Sequence, residues 1–443
     1  MDKATASTLI RDFEERPLPP LIRRELEPGN VPMGKALTII GPRRAGKTYF
    51  LYDLIARLGV GREEVLYLNL EDDRFLPASA ADLDLLLRTY YEIHPEMTGR
   101  TAHMFLDEVQ AVSGWEPFVR RVLDSQKVRV YLSGSSSRLL SREVATSMRG
   151  RSSTRVVLPF SFREYLAARK FRAGAHLSSG ENAWLMKHLD DFIRTGGFPE
   201  VALDPDPLSR IRTLRDYIEV VLMRDIVERH GLKATKALRM LFSSLLASYA
   251  KEFSIHKVYN YLRSQGIRTG KSSLYELVLH LEDAFAIIPM KKLGGSLRET
   301  EGTLPKMYVI DSGYIAQSGR ADSESIGRLM ENAVAVELFR RRSADPLLQV
   351  NYWKSAAGKE VDFAVSRQGA VRELIQVCCR PENDGTDRRE VESLLAAAEA
   401  LRCKALTIID WEREQTRRLQ GYSIRYVPIG KWLLAPPPRA ASS

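Results

Sequence analysis

Residues 36–58 read ALTIIGPRRAGKTYFLYDLIARL. A short apolar run, a loop bracketed by glycines and an amphipathic run follow one another, which predicts strand, loop and helix. The loop GPRRAGKT fits G-x-x-x-x-G-K-[ST] at Gly41, Gly46, Lys47 and Thr48. Gly41 and Gly46 let the chain wrap tightly, because positive φ costs glycine little. The loop N–H groups and the positive end of the following helix then face an anion. Gly41, Pro42, Arg43, Arg44, Ala45, Gly46, Lys47, Thr48 and Tyr49 are the expected nucleotide contacts. Lys47 is expected on the β- and γ-phosphates and the Thr48 hydroxyl on Mg²⁺, so ATP and Mg²⁺ are the expected cofactors.

Outward from this loop, β-type runs alternate with helical ones: VLYLNL (65–70), HMFLDE (103–108), VRVYLSGS (128–135) and TRVVLP (154–159). Such alternation predicts an α/β fold with a parallel sheet. HMFLDE delivers Asp107 at its tip, the Walker B arrangement, with the carboxylate holding Mg²⁺. Glu108, the next residue, is placed to polarise an attacking water as general base. At the end of the following strand, Ser133 and Ser135 are both candidates to orient that water. Downstream, Arg149 and Arg151 in SMRGRSS are candidate arginine fingers acting on a neighbouring subunit, which implies a homo-oligomer.

The remainder sorts into further regions. Residues 1–35 read as a helix, a Pro-rich turn and a loop, and residues 36–180 as the ATPase domain. From 181 to 236 the pattern is helical, with a GGFP turn. Residues 237–304 read helix, helix, Gly-containing turn, helix and strand, the order of a winged helix. There Arg268, Lys271, Ser272 and Ser273 are the expected DNA contacts. A second α/β unit spans 305–434, and 435–443 reads as a disordered tail.

The bulk numbers agree with several domains. The chain has 443 residues, 66 Lys plus Arg against 56 Asp plus Glu, and a formal net charge of +10, which fits an acidic partner such as DNA. Three cysteines (Cys378, Cys379 and Cys403) without C-x-x-C spacing argue against a disulfide framework or a zinc site. No signal peptide is read at the start and no apolar run is long enough to span a bilayer, so a cytoplasmic protein is expected.

GPRRAGKT, LYLNLEDDR, FLDEVQ, LSGSSSRLL, RGRSSTRVVLPFSFREYL and RTGGFPE occur in this order. Together they resemble the AAA-type ATPases of archaea and bacteria that carry a C-terminal domain of unknown function. The resemblance covers nearly the whole chain, and PFSFREYL (159–166) is its most specific piece. It implies a P-loop sheet with an additional strand and a catalytic glutamate, and a C-terminal domain of restriction-endonuclease-like fold. ENAVAVEL, GKEVDFAV and ELIQVCC then match the layout of the PD-(D/E)xK nuclease core at Glu331, Asp362, Gln376 and Cys378. The last two positions depart from that pattern, since cysteine stands where a lysine is usual. The domain is therefore expected to fold as a nuclease relative but to cut poorly or not at all, with Lys359 or Lys354 reaching in from the neighbouring strand as the alternative. The leading expectation is ATP hydrolysis used as a conformational switch acting on DNA. The alternatives are an ATP-gated, metal-dependent nuclease and a protein-interaction switch without nucleic acid.

Overall fold

The computed structural model describes residues 1–134, 148–171, 174, 178–294, 303–318, 326–379 and 384–436. It divides into two compact units, Met1–Leu158 and Pro159–Ser443. The break falls at 158/159 rather than at 180, because the last strand of the first unit ends at Val156 and the helix Phe162–Ala168 belongs to the second unit.

The first unit is a parallel sheet of β1 (Ala36–Ile40), β2 (Val65–Asn69), β3 (Ala102–Asp107), β4 (Val128–Gly134) and β5 (Ser152–Val156), in the order β2-β3-β4-β1-β5. Every pairing is parallel. β4 therefore stands between the P-loop strand β1 and the acidic strand β3. β1 and β3 are buried at every position, as expected of strands covered on both faces. The crossovers are α2 (Lys47–Leu58), α3 (Ala80–Ile93) and α4 (Trp115–Ser125). Gly59, at φ 63°, closes α2 in the left-handed conformation that glycine adopts most cheaply. Ahead of the sheet, α1 (Lys3–Glu15) starts at Asp2, whose carboxylate accepts from the Thr5 N–H at 2.8 Å. Its Phe13 ring stacks on Tyr67 at 4.6 Å between centroids. Leu18, Leu26 and Val31 pack against the same core, so the N-terminal segment is part of this unit.

The second unit opens on Ser161 and Glu164, which form a capping box that starts the helix Phe162–Ala168. Both residues are buried, which gives PFSFREYL a structural reason. Helices Ser179–Thr195, Pro199–Leu203 and Pro207–Val220 follow, the last running on as a π-helical stretch, Val221–Glu228. The GGFP turn is locked from elsewhere in the chain. The Asp311 carboxylate accepts from Gly197 N–H at 2.7 Å and Gly313 N–H at 2.8 Å, and a side chain at Gly196 would run into it. Burial pushes Asp311 up to about 7, against the pull of those two N–H groups.

Next come the helix Thr235–Ala247, β6 (Lys251–Glu252), the helices Ile255–Ser264 and Lys271–Asp283, β7 (Ile287–Met290) and β8 (Lys306–Val309). The three strands form an antiparallel sheet, β6-β8-β7. The rest is a six-stranded mixed sheet, flanked by the helices Ile326–Ala344 and Asp384–Leu401. Its strands are β9 (Leu348–Lys354), β10 (Glu360–Arg367), β11 (Ala370–Val377), β12 (Leu406–Asp410), β13 (Gln415–Leu419) and β14 (Tyr422–Pro428), in the order β13-β14-β12-β11-β10-β9. β13 and the helix Ile429–Leu434 were not expected from the sequence. Among the described residues no helix is long and apolar enough to cross a membrane.

Candidate functional site

The loop after β1 has the conformation its glycines allow. Gly41 lies at φ 148°, and a side chain there would strike the Val157 carbonyl; Gly46, at φ 92°, precedes α2. Arg44 also takes positive φ, at 66°. Pro42 and Ala45 are buried, Arg43 is half-buried and 3.9 Å from Glu71, and Tyr49 is exposed. Lys47 is buried, and its Nζ lies 3.2 Å from the Pro42 carbonyl, 3.4 Å from that of Gly41 and 3.7 Å from Glu108 Oε1. The loop is braced by Arg24, which the sequence did not single out. Its buried guanidinium donates to the carbonyls of Ala45 at 2.9 Å and Leu158 at 2.5 Å.

Asp107 is the hub. Its carboxylate accepts from Thr48 Oγ1 at 2.7 Å, from Tyr67 OH at 2.9 Å and from the Ser133 hydroxyl. Burial, and then the Glu108 charge, push its pKa up; a bound cation would relieve that penalty. Burial and Asp107 likewise raise Tyr67 well above its ordinary value, so it remains a donor. The hard oxygens of Thr48 and Asp107 suit Mg²⁺.

Glu108 stands just beyond β3 in the left-handed conformation, φ 55° and ψ 50°, uncommon for a residue with a side chain. Contacts to Ser133 and Gln110 hold it there. Its N–H donates to Ser133 Oγ at 2.9 Å, and its Oε2 accepts from Gln110 Nε2 at 2.5 Å. Ser133 is thus fully buried and commits its hydroxyl to Asp107 and to the Glu108 backbone. That placement makes it a group that positions the acidic pair rather than one that touches a water. Ser135 lies outside the described residues.

Arg149 and Arg151 are not brought to this loop. Arg151 precedes β5, where Ser152 pairs with Ala36 at the opposite end of β1, and its side chain is ion-paired with Asp124. Five residues of strand span roughly 16 Å, so neither arginine reaches the P-loop of its own chain.

In the second unit, Arg268, Lys271, Ser272 and Ser273 are all exposed, around the start of the helix Lys271–Asp283. Lys271 Nζ sits 5.3 Å above the Tyr259 ring, and Tyr261 and Tyr275 are exposed nearby in sequence. Glu331 and Asp362 are brought together, but around a lysine the sequence did not point to. Lys306 Nζ lies 3.1 Å from Glu331 Oε1 and 2.9 Å from Asp362 Oδ1. Gln376 accepts from the Asp362 N–H at 3.2 Å and donates to Glu390 at 2.6 Å. Cys378 is buried beside them in sequence, with its N–H bonded to the Ile409 carbonyl. The alternative lysines do not fill the place: Lys359 is exposed and Lys354 pairs with Glu252 and Glu360.

The first unit is that of a P-loop protein of the AAA ATPase class. A family model described as AAA domain matches residues 33–166, and two domains of unknown function, DUF8612 and DUF4143, match 186–324 and 326–432. The chain is 33% identical over 420 residues to the uncharacterized protein MJ1544 of Methanocaldococcus jannaschii, covering 94% of this chain and 91% of the other. It belongs to the same family as that protein. An uncharacterized protein of Haemophilus influenzae is 26% identical over 401 residues, covering 89% of this chain and 93% of its own length. Among solved structures, the Aeropyrum pernix ORC1 protein in complex with DNA aligns at TM-score 0.29 and 12% identity, over 69% of this chain and 88% of the other. AMPPCP-bound DnaA from Aquifex aeolicus aligns at TM-score 0.24 and 14% identity, over 62% and 86%.

Proposed function

We propose that this protein binds ATP with Mg²⁺, hydrolyses it and uses the cycle as a conformational switch. One observation carries the reading: Lys47, Thr48, Asp107 and Glu108 converge at one end of a sheet in which β4 separates β1 from β3. The loop N–H groups and Lys47 bind the phosphates. Thr48 and Asp107 would hold Mg²⁺, which when bound neutralises charge on the phosphate oxygens. Glu108 accepts the proton of the attacking water, and Ser133 and Gln110 hold Glu108 in place. Lys47→Ala should abolish nucleotide binding, measured with a fluorescent ATP analogue. Glu108→Gln should keep binding but slow phosphate release by roughly 10²–10⁴-fold, the usual worth of a general base. Wild-type turnover in Glu108→Gln would remove the base from that residue.

A second reading places the target of the switch as DNA. The helix–strand order from Thr235 to Val309 and the sheet β6-β8-β7 support a winged helix. Its exposed Arg268, Lys271, Ser272 and Ser273 are the kinds of side chain that hold phosphates. The helix Ile326–Ala344, with β9 to β12, supports a restriction-endonuclease-like relationship for the C-terminal sheet. A finger role for Arg149 or Arg151 requires a neighbouring subunit, given their end of the sheet.

A further inference from the structure

Lys306 is the first residue of β8, and its side chain is 4% exposed. A buried ammonium needs partners for its three N–H groups. Here three carboxylates surround it: Glu360 Oε1 at 2.7 Å, Asp362 Oδ1 at 2.9 Å and Glu331 Oε1 at 3.1 Å. These come from the first and third positions of β10 and from the helix Ile326–Ala344, while Lys306 comes from β8. Further contacts brace the cluster. Asp362 Oδ2 accepts from the Val377 N–H at 3.0 Å, Glu360 Oε2 lies 3.3 Å from Lys354 Nζ, and Tyr308 OH donates to Glu331 Oε1 at 2.6 Å.

The positive charge at the centre of the cluster is the Lys306 ammonium. Lys306 faces three carboxyl groups, and Lys354 is shared between one of them, Glu360, and Glu252. Burial, and then the Asp362 charge, push Glu331 up to about 8, while the Lys306 ammonium pulls it down. The three carboxylates also hold Lys306 protonated against its burial. The spacing tells the same story. Oxygens at 2.7–3.1 Å suit an N–H···O contact, whereas Mg²⁺ demands about 2.1 Å. Among the described residues, no group of three or more His, Cys, Asp or Glu is arranged as a metal site, and here the ammonium stands between the oxygens.

We infer that the Lys306 ammonium is a tethered counterion seated where Glu331, Glu360 and Asp362 converge. The site takes no divalent cation in the intact protein and accepts one when the ammonium is removed. A metal and the ammonium would compete for the same three oxygens, and the ammonium is attached to the chain. Lys306 thereby also pins β8 to the sheet that carries β10. The mixed sheet keeps the carboxylates of a cation site, and β8 supplies the cation.

The test uses the full chain, with Asp107→Asn in every sample to remove the P-loop carboxylate, and Mn²⁺ alone as the probe. Free Mn²⁺ is read by electron paramagnetic resonance and stability by thermal melting. With Lys306 present, no Mn²⁺ binding that depends on Asp362 is expected. Lys306→Met should bind one Mn²⁺ per chain at least about tenfold more tightly and melt higher as Mn²⁺ is added, since binding only the folded state stabilises it. Lys306→Met with Asp362→Asn should lose both effects. Two results would overturn the inference: a Lys306-containing protein whose bound Mn²⁺ disappears in Asp362→Asn, or a folded Lys306→Met that binds none. If Lys306→Met unfolds without cations, recovery of its melt by Mn²⁺ supports the inference, and failure of Mn²⁺ to restore it counts against it.

Discussion

Ser133→Ala removes a single oxygen from a fully buried position, and that oxygen links both acidic residues. The Glu108 N–H loses its acceptor at 2.9 Å, and Asp107 loses one of its three donors. A buried donor left unmet costs about 1–3 kcal/mol, and a bond to a carboxylate is worth about 1.5–3 kcal/mol. Stability should therefore fall by about 2–4 kcal/mol, with some relaxation of the site. The kinetic effect is more specific. Glu108 sits in a left-handed conformation that its backbone bond to Ser133 helps to hold. If 1–3 kcal/mol of that restraint is lost in the transition state, kcat falls by about 5- to 150-fold, at about 1.4 kcal/mol per tenfold. KM should move little, since the loop and Lys47 are untouched. A coupling test separates positioning from general damage: with Glu108→Gln already in place, Ser133→Ala should lower kcat by much less than in the wild type. The assay is steady-state phosphate release alongside urea unfolding. An unchanged kcat in a variant destabilised as expected, or full additivity with Glu108→Gln, would refute the assignment of Ser133 to Glu108.

Arg24→Ala should weaken nucleotide binding by about tenfold and lower stability by about 2–3 kcal/mol, because two charge-assisted bonds to loop carbonyls are lost; Arg24→Lys should not restore it, since only the guanidinium fork reaches both carbonyls, and nucleotide titration with thermal melting checks both. Asp311 has a folded pKa raised from 3.8 to about 7, so the stability it contributes is present below its unfolded value and lost as pH rises through about 7. Urea unfolding at about pH 5 and about pH 8 should show a decline on the order of 2–4 kcal/mol that Asp311→Asn flattens; an equal decline in the variant would place the titration elsewhere. On the DNA reading, the Arg268→Ala, Lys271→Ala double variant should flatten the salt slope of DNA binding by about 2 units, read by fluorescence anisotropy, and wild-type protein that binds no DNA at low salt would end that reading.

What the sequence disclosed follows from how far apart the cooperating residues lie. The P-loop and the Asp107–Glu108 pair are contiguous, and local conformation alone places them, so both could be read directly. Tyr67 could not, because its role depends on register: Asn69 pairs with Asp107 across β2 and β3, which brings Tyr67 OH within reach of that carboxylate. Ser133 stood out at a strand end as a candidate for orienting the water, but its burial under the acidic pair depends on β4 lying beside β3. Lys306 begins a short strand with nothing local to mark it, and reaches Glu331 and Asp362 only through tertiary packing. β13 escaped notice because QTRRL is a mostly exposed edge strand without the apolar alternation that identifies strands.

The way Arg24 and Phe13 are built into the first unit bears on how the molecule can be dissected. A fragment cut to the AAA family match, residues 33–166, would discard the guanidinium under Ala45 and the ring stacked on Tyr67. Its other end would sever the helix Phe162–Ala168 two residues before its close. Such a fragment carries every residue of the nucleotide motif yet exposes the apolar side chains that α1, Leu18 and Leu26 cover. Aggregation or failure to bind nucleotide in that fragment would reflect the choice of ends rather than the chemistry of the loop. The minimal piece that keeps the motif's own supports begins at Met1 and runs at least to Leu158.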